Sequence, residues 1–214
     1  VILLASRGLE GNERPRSGNR LILAKPDPYI AYLGLLVFLA SVCEGGMFDW
    51  SGIYFREIVG VELFTLGYLL FMILMATSRL VSDGLVEQFG MARMYIMSGA
   101  LIFAGIIITI TVPTFWPSLA GFCLVGFGCA SVVPMTFSLA GHSKKYSPGM
   151  AISIVATYSV VGMLIGPPVI GYIAHALGLR IAFIVFALAG LLMIPISGFL
   201  FRSIRADEAA TQEA

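Results

Sequence analysis

Apolar stretches long enough to cross a bilayer occupy most of this chain, and nearly all of its positive charge falls on one side of them. The runs without Asp, Glu, Lys or Arg are 28–43, 63–78, 94–143, 146–179 and 181–201. The first ends at Glu44, beyond which the apolar pattern continues through Phe48. A helix rises about 1.5 Å per residue, so about 20 apolar residues cross the bilayer core. The run 94–143 is too long for one crossing, and Pro113, Trp116 and Pro117 divide it into two helices with a tight turn between them. The sequence therefore predicts six spans, at 29–50, 62–82, 94–112, 117–140, 150–174 and 181–201.

The cations set the expected orientation. Arg7, Arg14, Arg16, Arg20, Lys25, Arg79, Arg93, Lys144, Lys145, Arg202 and Arg205 share one side, and only Arg56 and Arg180 take the other. The positive-inside rule makes the first side cytoplasmic, together with both termini and the loops 83–93 and 141–149. The loops near 51–61, 113–116 and 175–180 then face outward. A chain that is 58% hydrophobic and 12% charged excludes a soluble domain. Its net charge of +1 gives no nucleic-acid partner, because the basic residues are spent on topology. Cys43, Cys123 and Cys129 all lie inside spans and build no disulfide framework.

Val1–Ala5 reads as the tail of another apolar helix, followed by a polar, Arg- and Gly-containing stretch to Asp27. That divides the chain into a helix end and cytoplasmic linker over 1–28, a six-helix bundle over 29–202, and a polar, fraying cytoplasmic tail over 203–214. The expectation is a fragment of a longer protein. Within the bundle, segments recur at an offset of about 90 residues. Ala40-Ser41-Val42 recurs as Ala130-Ser131-Val132, and Tyr68 as Tyr158. Phe89-Gly90-Met91-Ala92-Arg93 precedes a helix containing Gly99, and Leu177-Gly178-Leu179-Arg180 precedes one containing Gly190. Three helices separate the copies, so one Gly-x-x-Arg-type turn is cytoplasmic and the other outward. The all-α fold expected is a 3+3 inverted-topology repeat, a layout used by many secondary transporters.

Three motifs carry a family resemblance. Ser78-Arg79-Leu80-Val81-Ser82-Asp83 through Phe89-Gly90 resembles the cytoplasmic helix–loop–helix motif of the major facilitator superfamily. Glu44-Gly45-Gly46-Met47-Phe48-Asp49-Trp50-Ser51 resembles the outward end of the seventh helix in a bacterial, sugar-permease-like branch. Gly162 through Gly171, with Gly166, Pro167 and Pro168, resembles its eleventh helix. Ser78, Gly84 and Gln88 stand where the family often has Gly and basic residues, which implies a thinner charge network in the loop. The resemblance implies the C-terminal half of a 12-helix transporter in a bacterial cytoplasmic (inner) membrane. Its partners would be a small-molecule substrate, protons, the lipid bilayer and an N-terminal six-helix half. It also implies that the loop around Arg79, Asp83 and Gly90 braces a cytoplasmic gate.

Glu44 is the sharpest single residue. It lies about 24 Å along its helix from Pro28, inside the membrane and towards the outer half of the predicted span. An ionised carboxylate there costs a few kcal/mol or more, so it faces water, finds a partner or carries a proton. Each option suits substrate binding or proton coupling, and a packing hydrogen bond to a neighbouring helix is the structural alternative. Asp49 points about 140° away from Glu44 on a regular helix and is placed to pair with Arg56. Trp50 either anchors at the interface or stacks on a sugar ring. Tyr68 and Tyr158 are polar tips in apolar helices, and so candidates to line a cavity. Arg79 and Asp83, four apart, share a face. Gly45, Gly46, Pro134, Gly166, Pro167 and Pro168 are candidates to bend helices, or else to pack them closely.

The leading class is half of a secondary active transporter that moves a small polar molecule by alternating access, coupled to protons. A free-standing half working as a dimer and a non-transporting sensor are the alternatives. An enzyme is not expected: His142 and His175 sit at opposite helix ends, and no nucleophile motif or metal-ligand spacing appears. A channel lacks a filter loop or a ring-forming acid. No metal and no cofactor is expected.

Overall fold

The computed structural model describes residues 27–61 and 65–212, the side chains of Leu66, Asp83 and residues 207–212 excepted. The helix end at Val1–Ala5 and the linker up to Pro26 lie outside the described residues. Eight α-helices follow one another among the described residues. They are α1 (Pro28–Tyr54), α2 (Thr65–Phe89), α3 (Met91–Thr111), α4 (Phe115–Ala130), α5 (Val132–Gly141), α6 (Pro148–Leu177), α7 (Leu179–Ala182) and α8 (Ile184–Gln212). A wider π turn over Phe55–Val59 extends α1. Five stretches have the length and hydropathy of a membrane crossing: Pro28–Val59, Met91–Thr111, Phe115–Gly141, Pro148–Leu177 and Leu179–Ala206. The apolar part of α2, Gly67–Ser82, is shorter and supplies the sixth expected segment. The fold is an all-α polytopic membrane bundle.

The helix boundaries follow local chemistry. Pro28 and Pro148 open α1 and α6, where a missing N–H is harmless and the fixed φ suits the first turn. Pro134 has no N–H for the Ala130 carbonyl, and the chain breaks there, separating α4 from α5 at Ser131. Pro167 and Pro168 likewise leave the Met163 and Leu164 carbonyls without their helical donors, yet α6 continues through them.

Several turns are tighter than the sequence suggested. The expected loop 83–93 is helix up to Phe89 and again from Met91, leaving Gly90 alone as the turn. The expected outward loop 175–180 likewise shrinks to Gly178. Helix α1 runs past the expected end at residue 50, and the expected frayed tail is helical through Gln212, where Ala and Glu favour helix.

The two one-residue turns are conformational twins. Gly90 has φ 78° and ψ 152°, and Gly178 has φ 93° and ψ 152°. Both lie in a region open essentially to glycine alone. They are the two turns that the internal repeat pairs. Helix packing shows the same relation. Helix α1 packs most extensively on α6, and α2 packs on α4; α3 packs on α4, and α8 on α1; α3 also packs on α8. A shift of three spans exchanges the members of the first two couples and returns the last to itself, as a 3+3 repeat requires. On that last contact a Cβ added to Gly99 would lie 2.6 Å from the Gly190 carbonyl oxygen, and one added to Gly190 would lie 2.9 Å from that of Gly99.

Gly90→Ala and Gly178→Ala should each destabilise the bundle by about 1–3 kcal/mol, because both force a side chain into a glycine-only conformation. Gly84→Ala meets open space on a helix and should be neutral or slightly stabilising. Thermal unfolding in one detergent compares the three, and equal Tm values would refute the assignment of strain to the turns.

Candidate functional site

Helix α1 carries one ionisable side chain at its middle. Glu44 lies about 24 Å from Pro28 and about 22 Å from Val59 along the axis, deeper than the shorter predicted span implied. Its side chain is 15% exposed and meets Arg79 of α2, with 3.4 Å between Glu44 Oε1 and Arg79 Nη2. This is the ion pair present among the described residues. Arg79 is 51% exposed, so its guanidinium reaches Glu44 from the open side of the bundle. Two opposite charges at one depth in hydrocarbon offset part of each other's desolvation cost, which neither meets alone.

Sequence reasoning missed this pair because it counted Arg79 with the cytoplasmic cations, on one helix face with Asp83. Helix α2 continues ten residues beyond Arg79, so the residue sits about 15 Å inside the helix end. The signal was available in the hairpin geometry. Val59 and Thr65 flank the turn between α1 and α2, and Glu44 and Arg79 lie almost equally far from it. The side chain of Asp83 lies outside the described residues. Gly90 forms the turn that follows, at the end of α2.

One turn along α1 from Glu44, Phe48 meets the edges of Tyr68 and Phe71, with ring centroids 6.3 and 5.8 Å apart. Tyr68 thus belongs to the same α1–α2 contact as the ion pair. Tyr158 does not: its ring covers Gly34, whose added Cβ would lie 2.8 Å from it, about 15 Å along α1 from Glu44. Asp49 is exposed, and no ion pair joins it to Arg56 among the described residues. Trp50 donates its Nε1–H to the Pro167 carbonyl at 3.1 Å, which ties it to α6.

Of the two roles open to Gly45 and Gly46, the structure shows close packing. The helix passes through Gly45 and Gly46 without interruption. A Cβ on Gly45 would lie 2.7 Å from the Met163 carbonyl oxygen, and the position of Gly46 is taken by the Phe186 ring. Gly162 and Gly166 in turn receive the Phe38 and Val42 carbonyls, at 2.6 and 2.7 Å from an added Cβ. Since Pro167 provides no N–H to Met163, a carbonyl without its helical donor lies against Gly45, next to Glu44 in sequence. That carbonyl belongs to the α1–α6 seam, whereas the carboxylate and the guanidinium meet on the α2 side of α1. The carboxylate–guanidinium pair can bind a polar solute or exchange a proton. Among the described residues, no three His, Cys, Asp or Glu side chains gather as a metal set would.

A sequence model of the Major Facilitator Superfamily matches residues 85–214. An uncharacterized MFS-type transporter of Yersinia pestis is 33% identical over 188 residues, covering 86% of this chain and 48% of that protein. The membrane protein MosC of Rhizobium meliloti is 34% identical over 171 residues, covering 79% and 42%. An uncharacterized transporter of Sinorhizobium fredii is 34% identical over 168 residues, covering 78% and 45%. The chain thus spans about half the length of these relatives.

The ion pair predicts a coupling measurable by a double-mutant cycle. Glu44→Gln and Arg79→Gln should each lower the Tm of the purified protein by stranding the other charge. The double variant should recover part of the loss, with a coupling of about 1–2 kcal/mol. Strict additivity would show that the two side chains do not interact.

Proposed function

The chain belongs to the Major Facilitator Superfamily, and from that premise we propose that it forms one half of a secondary active transporter. It moves a small polar molecule by alternating access and couples that movement to protons. The observation that carries this reading is the Glu44–Arg79 pair at mid-depth, on two helices joined by a hairpin. A carboxylate held by a partner exposed on the open side is a group that can trade that partner for a proton or a solute. When Glu44 takes up a proton its attraction to Arg79 falls, α1 and α2 lose one constraint, and the charge cost of moving them changes.

The second half is a six-helix unit like this one. Two observations support it: the relatives are about twice as long as the chain, and α2 and α6 present large apolar side chains outward. Leu69, Ile73 and Leu80 on α2 and Val160, Leu164 and Tyr172 on α6 are exposed. These are the two helices that the repeat makes equivalent, so a matching half would meet both symmetrically. Substrate then sits between the halves, near Glu44, Arg79 and Tyr68. A neutral polar molecule such as a sugar is the substrate class implied by the branch resemblance at residues 44–51 and 162–171. Of the expected gate residues, Asp83 and Gly90 at the end of α2 brace the inner gate, while Arg79 holds Glu44.

Sidedness follows the cations. The start of α1, the turn at 142–147 and the end of α8 line one cavity at one end of the bundle, with Lys144 and Lys145. Arg202 and Arg205 line another with the first turn of α3. Arg180 caps the opposite end of α3 through the Ile110 and Thr111 carbonyls. The positive-inside rule supports a cytoplasmic Lys-rich end in a bacterial inner membrane, and the count keeps its sign with or without Arg79.

In proteoliposomes of the intact protein, an imposed pH gradient should drive uptake of a neutral polar solute, and Glu44→Gln should abolish that drive while membrane insertion stays normal. Unchanged pH-driven uptake in the variant would sink the coupling role. In intact cells, a cysteine introduced by Thr114→Cys should react with an impermeant maleimide, whereas one introduced by Ser143→Cys should react only after permeabilisation. The opposite pattern would invert the topology.

A further inference from the structure

Where α1 begins and α5 and α8 end, a cavity of about 450 Å³ opens at the cation-rich end of the bundle. Its volume is in the range of small-molecule sites. The lining has two parts. Leu139 and Ile204 form an apolar floor with the ring of Tyr29, whose hydroxyl is occupied by the Leu139 carbonyl at 2.6 Å. Asp27, His142, Lys144 and Lys145 form a polar rim. The Lys145 ammonium stands 5.9 Å from the Tyr146 ring, and His142 Nδ1 is 2.8 Å from the Ser138 carbonyl. Two ammonium groups against one carboxylate leave the rim with one net positive charge when His142 is neutral. The cavity lies about 22 Å along α1 from Glu44 and is separate from the site above.

The geometry points to a site for the headgroup of an anionic phospholipid. Its single phosphodiester charge matches the rim, placed on Lys144 and Lys145, and its glycerol and first acyl carbons match the floor of Leu139, Ile204 and Tyr29. Topology alone accounts for two lysines after α5 but requires neither a cavity nor an apolar floor beneath them. A free inorganic anion would satisfy the rim and leave the floor against water. Arg202 and Arg205, which line a second cavity, and Arg93 in the first turn of α3 add the long-range attraction to an anionic leaflet that brings such a lipid near.

The test is lipid titration of the intact purified protein, read by native mass spectrometry and by Tm. The probes are phosphatidylglycerol, phosphatidylcholine and inorganic phosphate. Phosphatidylglycerol should be retained and raise Tm; phosphatidylcholine and phosphate should do neither. Lys144→Gln with Lys145→Gln should weaken retention roughly 25-fold, at about fivefold per lysine. Lys144→Arg with Lys145→Arg should keep it. Ile204→Trp fills the floor, keeps every charge and should also lose the lipid, whereas Arg93→Gln, outside the cavity, should change retention less than about twofold. The proposal fails if Arg93→Gln matches the lysine pair, which would mean diffuse charge attraction. It fails equally if Ile204→Trp retains the lipid, or if phosphate alone protects as well as phosphatidylglycerol.

Discussion

Helices in a bilayer gain little by hiding apolar side chains from lipid, so this bundle depends on backbones coming close enough to touch. Glycine supplies that approach at each principal contact. Gly162 and Gly166 admit the Phe38 and Val42 carbonyls from α1, Gly45 admits the Met163 carbonyl from α6, and Gly99 and Gly190 admit each other between α3 and α8. Gly126 and Gly128 do the same for the Phe71 and Ser98 carbonyls, tying α4 to α2 and α3. Short polar bridges reinforce the contacts. Ser41 meets Ser159 at 2.8 Å, Ser98 meets Ser131 at 3.0 Å, and Tyr95 meets Thr136 at 2.8 Å. Inside hydrocarbon each such hydroxyl lacks water as an alternative partner, and this gives the pairs their value.

This close packing shapes the site. With α1 held against α6 by glycines on both helices, at Gly45 and at Gly162 and Gly166, Glu44 meets α2 through Arg79. There the contact is smaller: α1 packs far less on α2 than on α6. A charge fixed on a well-packed helix thus meets an opposite charge on a more open one. A change in Glu44 protonation acts on the α1–α2 contact first, because that is where its charge partner lies.

Much of the fold was legible in the chain. The apolar runs marked six segments, Pro134 marked the break in α4–α5, and the Gly90 and Gly178 signatures paired two turns that share one conformation. What the sequence obscured was the length of the helices beyond the apolar core. Residues 51–59 and 83–89 are polar enough to read as loops, yet they stay helical up to Gly60 and Gly90, which take positive φ. That error carried into the site. With α2 cut short at residue 82, Arg79 looked interfacial. With α2 at full length, Arg79 lies at the depth of Glu44. Gly45 and Gly46 were ambiguous for a related reason, since a glycine that bends a helix and one that seats a neighbour look alike until the neighbour is known.

By itself the sequence determined that the chain crosses a membrane repeatedly and that its halves repeat. Those properties depend on transfer free energies and local backbone preferences, which each short segment carries with it. Only the tertiary structure decided that Glu44 faces Arg79, that α1 is seamed to α6 by glycine, and that Lys144 and Lys145 stand over an apolar floor made by Tyr29, Leu139 and Ile204. Each of these joins residues tens of positions apart, and their meeting depends on the rotation and offset of whole helices, which no local segment encodes.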